Sequence, residues 1–235
     1  MADWLPMENL SIRRSWRIAV VVLVALVLCA ITAPVIAAEN PDGVAVIIGN
    51  KNYEGGLPGV DFAHNDAGAF KKFVIDVLGY DPDNIIDLRD ATQAQMESAF
   101  GNERTHKGRL WRYLDAEGAS DVVVFYSGHG VPGLRDKRGY LLPVDADPNT
   151  PEINGYPIDL LYANLEATEA RSITVYLDTC FSGETQNGML IRATSGMSAS
   201  LKLPETSSRL RVLTAARGDQ VASWEIGRAS CRERV

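Results

Sequence analysis

The chain has 235 residues, 46% of them apolar and 23% charged, with a formal net charge of −7. That length and balance suit one medium globular domain with a real core. The acidic balance excludes the basic face that phosphate binding needs, so no nucleic-acid partner is expected.

Cysteines (Cys29, Cys180, Cys231) and histidines (His64, His106, His129) number three each and form neither a disulfide framework, a CxxC knuckle nor an HExxH pair. There is no GxxxxGK[ST] phosphate loop and no GxSxG elbow. No metal and no cofactor is expected.

In chain order, Arg13, Arg14 and Arg17 precede an apolar run from 18 to 38 that closes on Ala37 and Ala38. A basic flank, an apolar stretch and small residues describe a signal peptide, and the run is also long enough for a membrane anchor. Either way the arginines stay inside and the body is exported, to the periplasm or beyond, or held outside the inner membrane. Membrane contact is expected only if residues 1–38 are retained.

The body starts with "GVAVIIGN" (43–50), a continuous apolar run suited to a buried parallel strand. A Gly-rich loop follows. Residues 65–79 place Phe70, Phe73, Val74, Val77 and Leu78 on one helical stripe, with Asn65 or Asp66 available as the cap. A strand is expected at 84–90, a helical pattern broken at Gly101 over 92–115, and a strand at 121–128. An irregular, Pro-rich stretch (141–157), a helix (158–168) and strands at 172–178 and 210–216 complete the series. Strands alternating with helices imply an α/β fold with a mainly parallel sheet. The last eleven residues, "EIGRASCRERV" (225–235), break this pattern and resemble the translation of a sequencing-adapter oligonucleotide. They are set apart from the fold, and the gene is expected to be cut short near Trp224.

Two stretches share one shape. "DVVVFYSGHG" and "SITVYLDTCFSG" are apolar runs that end in a reactive side chain and a small-residue turn. Ligands of open α/β sheets sit beyond the carboxyl ends of the strands. His129 and Cys180 both fall there, and would share one rim if their strands are neighbours. A lone cysteine is ordinarily a small buried hydrophobe and a lone histidine an ordinary loop residue. Here Cys180 sits among Asp178, Thr179, Ser182 and Gly183, and is the one cysteine left in the body. An imidazole beside a thiol makes a nucleophile and a proton donor for a leaving amine. Backbone N–H groups near Gly130 and at Cys180 could hold an oxyanion, each worth roughly 3 kcal/mol.

"VVVFYSGHG", followed 51 positions after the histidine by "LDTCFSG", resembles the caspase-like cysteine peptidases, and the D-T-C-F-S-G context is similar to that of metacaspases, paracaspases and their bacterial relatives. "VAVIIGNKNY" and "LPGVDFAHNDAGAF" resemble the first strand and helix of those proteins. The likeness runs from about 43 to 224. It implies a three-layer fold with helices on both faces of the sheet, a peptidase domain over 39–224 and the last strands and helices missing. The large part would run to about 183, a linker over 184–209, and the small part from 210. It implies roles by position: Cys180 as nucleophile, His129 as general base and acid, Gly130 as oxyanion donor, and Asp66 with Asp178 as an acidic pocket for Arg or Lys. Otherwise Asp66 is a helix cap and Asp178 a turn former. His64 and His106 are read as structural or solvated. Arg192, Lys202 and Arg209 become candidate self-cleavage sites. Protein or peptide substrates are implied, and some metacaspases add calcium activation. The alternative is a catalytically silent caspase-like interaction module.

Overall fold

The computed structural model describes residues 39–136, 138–179 and 207–215, together with the backbone of 184–185 and 188–189. The expected leader at 1–38, Cys180, most of the expected linker and the adapter-like residues 225–235 lie outside the described residues.

The centre is a five-stranded parallel sheet. Its strands are β1 (Val44–Gly49), β2 (Ile85–Arg89), β3 (Asp121–Ser127), β7 (Ser172–Asp178) and β10 (Leu210–Thr214), in the order β10-β7-β3-β1-β2. The mainly parallel α/β expectation is borne out. β1 is apolar at five consecutive positions because both of its faces are covered, and all six residues are buried. β7 alternates buried and half-buried residues, since one of its faces is only partly covered.

One face carries α2 (Gln93–Phe100), α3 (Arg109–Tyr113) and α5 (Ile158–Glu166). Met96, Leu110, Leu161 and Leu165 from these helices pack with Val46, Ile48, Val124 and Val175 of the sheet. The opposite face carries α1 (Ala63–Asp76), where Ala67 and Val74 pack with Ala45, Ile47, Val123 and Phe125. Gly49 lets α1 lie this close: a Cβ there would sit 2.6 Å from the Ala63 carbonyl oxygen.

Three expectations need correction. α1 begins two residues early, with Phe62 at the cap position and no capping side chain. The Val60 carbonyl accepts from Ala63 N–H at 3.1 Å, so the loop backbone replaces a side-chain cap and Asp66 is already helical. The apolar stripe is wider than the face it buries: Val74 is covered, but Phe73 and Val77 stay exposed and the helix stops at Asp76. The Pro-rich stretch is more regular than expected. β4 (Gly130–Pro132), β5 (Gly139–Leu141) and β6 (Tyr156–Pro157) form an antiparallel sheet, with α4 (Pro151–Asn154) between β5 and β6. A two-residue pair, β8 (Glu184–Thr185) with β9 (Gly188–Met189), also lies where a linker is expected. α2 starts as composition dictates, on a capping box between Thr92 and Gln95.

Candidate active site

β3 and β7 are adjacent and parallel, and their last residues, Ser127 and Asp178, are register partners. His129 follows the end of β3 by two residues, and the sequence puts Cys180 the same two positions beyond the end of β7.

His129 is 7% exposed and held on every side. Its Nε2 lies 2.8 Å from the Pro58 carbonyl oxygen. Its backbone N–H donates to the Tyr53 hydroxyl at 2.7 Å, and its carbonyl accepts from the Tyr126 hydroxyl at 2.7 Å and from Leu142 N–H at 2.9 Å. The Tyr53 ring packs on the imidazole, with centroids 4.6 Å apart. A carbonyl can only accept, so Nε2 carries the proton and Nδ1 keeps its lone pair in the neutral ring. Burial pushes the imidazole below its ordinary pKa, while the bond to Pro58 opposes that shift. The neutral form, a base, is therefore favoured near pH 7. The small neighbour Gly128 has a specific cause: a Cβ there would lie 2.7 Å from the Tyr53 hydroxyl and 2.8 Å from that of Tyr126. It makes room for the two tyrosines that hold the histidine. Gly130, buried, opens β4 opposite Leu141.

Beside this rim is a cleft of about 590 Å³, with Asp66 and Asp178 on its wall and Phe70, Phe125 and Tyr176 among its apolar lining. Burial raises Asp178 to about 6, the Asp66 carboxyl adds to the rise, and a 3.3 Å bond from the Ser127 hydroxyl opposes it. Burial also raises Asp66. Asp66 Oδ2 is buried without a hydrogen-bond partner, as is Thr179 Oγ1. Both carboxyls are kept partly from water, which disfavours the charged form of each.

The expected residues thus separate. Asp66 and Asp178 line one cleft, and His129 sits on the adjoining rim. His64 instead pairs with Asp90 at 2.8 Å, and half-buried His106 lies in the turn before α3. Among the described residues no group of three or more His, Cys, Asp or Glu side chains is arranged to hold a metal ion. The same residues contain no helix long and apolar enough to cross a membrane. Tyr53, Pro58 and Tyr126, which fix the imidazole, were not legible as site residues. Pro58 acts through its main-chain oxygen, which carries no sequence signature, and the one available signal was the Gly-rich loop around it.

A family model of the caspase domain, peptidase C14, matches residues 42–230. A structure of caspase-1 from Spodoptera frugiperda superposes with a TM-score of 0.50 at 15% identity, over 79% of this chain and 64% of that one. A search of curated proteins gives no significant match. With the parallel sheet, its helical layers and a family match over most of its length, the chain belongs to the caspase-domain family, peptidase C14.

Proposed function

We propose that this chain is a cysteine endopeptidase that cuts after arginine or lysine, with Cys180 and His129 as its dyad. The observation that carries the reading is the Ser127–Asp178 register. Two neighbouring strands that end in step support a meeting of His129 and Cys180, each two positions beyond its strand in the sequence, at one rim. His129 Nδ1 takes the Cys180 thiol proton. The thiolate attacks the scissile carbonyl carbon, and Gly130 N–H donates to the oxyanion as the C–O double bond opens. The imidazolium then protonates the departing amine, leaving a thioester on Cys180. Water, deprotonated by Nδ1, hydrolyses that thioester and frees the thiol.

The acidic cleft supports the specificity. A guanidinium or ammonium would pair with the Asp66 and Asp178 carboxylates of this cleft, and the apolar walls would pack its methylene stem. An aspartate there would add a third carboxylate. In the expected linker, cleavage at Arg192 or Lys202 is favoured over Arg209, whose guanidinium donates to the carbonyls of Ala170 and Glu166.

The test compares fluorogenic peptides ending in Arg, Lys or Asp, on the chain and on Cys180→Ala. Release from Arg and Lys peptides that vanishes in Cys180→Ala is expected. Cuts only after Asp reverse the pocket assignment. Equal signals from both proteins leave the silent interaction module as the reading.

A further inference from the structure

We propose that Asp90 is a positioning residue: its carboxylate clasps the loop of residues 51–58 and so sets the tilt of the His129 imidazole. The inference rests on the peptidase reading for its kinetic consequence, but not for its structural one.

Asp90 follows the last residue of β2 and takes φ of 53°, a left-handed conformation that few non-glycine residues adopt. Aspartate tolerates it better than most residues. The turn aims the carboxylate back across the rim. Oδ1 accepts from Lys51 N–H at 2.8 Å, Asn52 N–H at 2.9 Å and His64 Nε2 at 2.8 Å, and Oδ2 accepts from the Asn52 side-chain amide at 2.8 Å. Burial works against the charge, yet the bonds from Asn52, Lys51 and His64 outweigh it and hold the carboxyl at about 2.

The next residues of the clasped segment are those that touch the imidazole. Tyr53 immediately follows Asn52, stacks on the ring and accepts from His129 N–H; Pro58 ends the segment with the carbonyl on Nε2. Between them Gly55 and Gly56 are exposed, with φ of 67° and 79°, and the Glu54 N–H before them donates to the Val144 carbonyl at 2.8 Å. The loop is thus held at its first end by Asp90, and further along by the Glu54–Val144 bond and by Val60 N–H on the Lys51 carbonyl at 3.1 Å. Asp90 fixes one end through two consecutive main-chain donors. Its bond to His64 reaches α1 two residues before Asp66, so one carboxylate braces both the imidazole's loop and the helix that bears the acidic cleft.

Asp90→Asn is the informative variant, because asparagine accepts the left-handed backbone and keeps an acceptor while losing the charge. Two readouts are taken on folded protein: peptide kinetics, and histidine-selective 15N spectra of a chain with three histidines, assigned with His64→Gln and His106→Gln. A fall in kcat of about ten- to a hundred-fold with KM changed less than about twofold is expected, as for a misplaced catalytic group. The His129 signals should move from the Nε2-protonated pattern toward a mixture of tautomers. Should Asp90→Asn fail to fold, Asn52→Ala, which removes the Oδ2 bond from an exposed side chain, decides by the same readouts with an expected loss of about threefold. Unchanged His129 signals and unchanged kcat in the folded variant overturn the proposal. Wild-type protein inactive on every peptide, with His129 signals that still shift in Asp90→Asn, sinks the peptidase reading and leaves the clasp standing.

Discussion

The two faces of the central sheet are built to different depths. On the face of α2, α3 and α5, one continuous cluster runs from Val44 through Met96, Leu110 and Leu161 to Leu210, nearly all of it sealed from solvent. On the face of α1 a smaller cluster covers β1 and β3, and beyond it the cleft opens between Phe70, Tyr176 and Leu213. Phe73, Val77 and Leu213 remain 39%, 55% and 50% exposed on that side. The contrast teaches that the sealed core and the open cleft occupy different halves of the molecule. The deep face anchors the strands, and the shallow face leaves an open cleft beside the carboxyl rim.

Substitutions can break or sharpen this contrast. The largest effect belongs to the rim: Cys180→Ala should lower turnover of Arg peptides by about a thousand-fold or more, with the thermal midpoint nearly unchanged. A parallel loss of folding would show that rim and core are not separable. Next comes the deep face, where Leu161→Ala, fully buried, should cost about 2–5 kcal/mol in denaturant unfolding and leave KM of the surviving folded enzyme unaltered.

Asp178→Asn should do the reverse. Its carboxyl is raised from 3.8 to about 6 in the folded chain, by burial first and by Asp66 second. The fold therefore holds this proton more tightly than the unfolded chain, and stability declines as pH rises from about 4 through 6. Above pH 7 the variant should gain stability, by at most about 3 kcal/mol, while selectivity for Arg over uncharged residues falls. Unfolding curves at pH 4.5 and pH 7.5 check the sign, since the gain should shrink at the lower pH. The smallest effect belongs to the exposed shallow face, where Val77→Ala should stay within about 0.5 kcal/mol of wild type. A large loss there would mean that the side is covered after all.

Much of this was readable from the residues. β1, β3 and β7 announced themselves because burial on both faces, or alternation on one, leaves an apolar signature in Val, Ile and Tyr. Asp66, Asp178 and His129 were legible because each is a chemically marked side chain near an element end. What escaped is what main-chain geometry does. The start of α1 at Ala63 depends on the Val60 carbonyl, and the tautomer of His129 depends on that of Pro58. Asp90 looked like the tail of a strand, because its role comes from a left-handed turn and from donors some 40 positions upstream. The small sheet of β4, β5 and β6 was hidden by prolines and strands of only two or three residues.

The parallel register has a consequence for how this protein is made. Val44 must find Val122, Asp121 must find Ser172, and Leu210 must find Ile173, so no strand of the central sheet can form a hairpin with its neighbour. Such distant partners make a nascent chain slow to close and leave sticky segments such as VAVIIG and VVVFY waiting in the open. Yield from recombinant expression should therefore depend on cool, dilute refolding or on chaperone supply more than on the final strength of the fold.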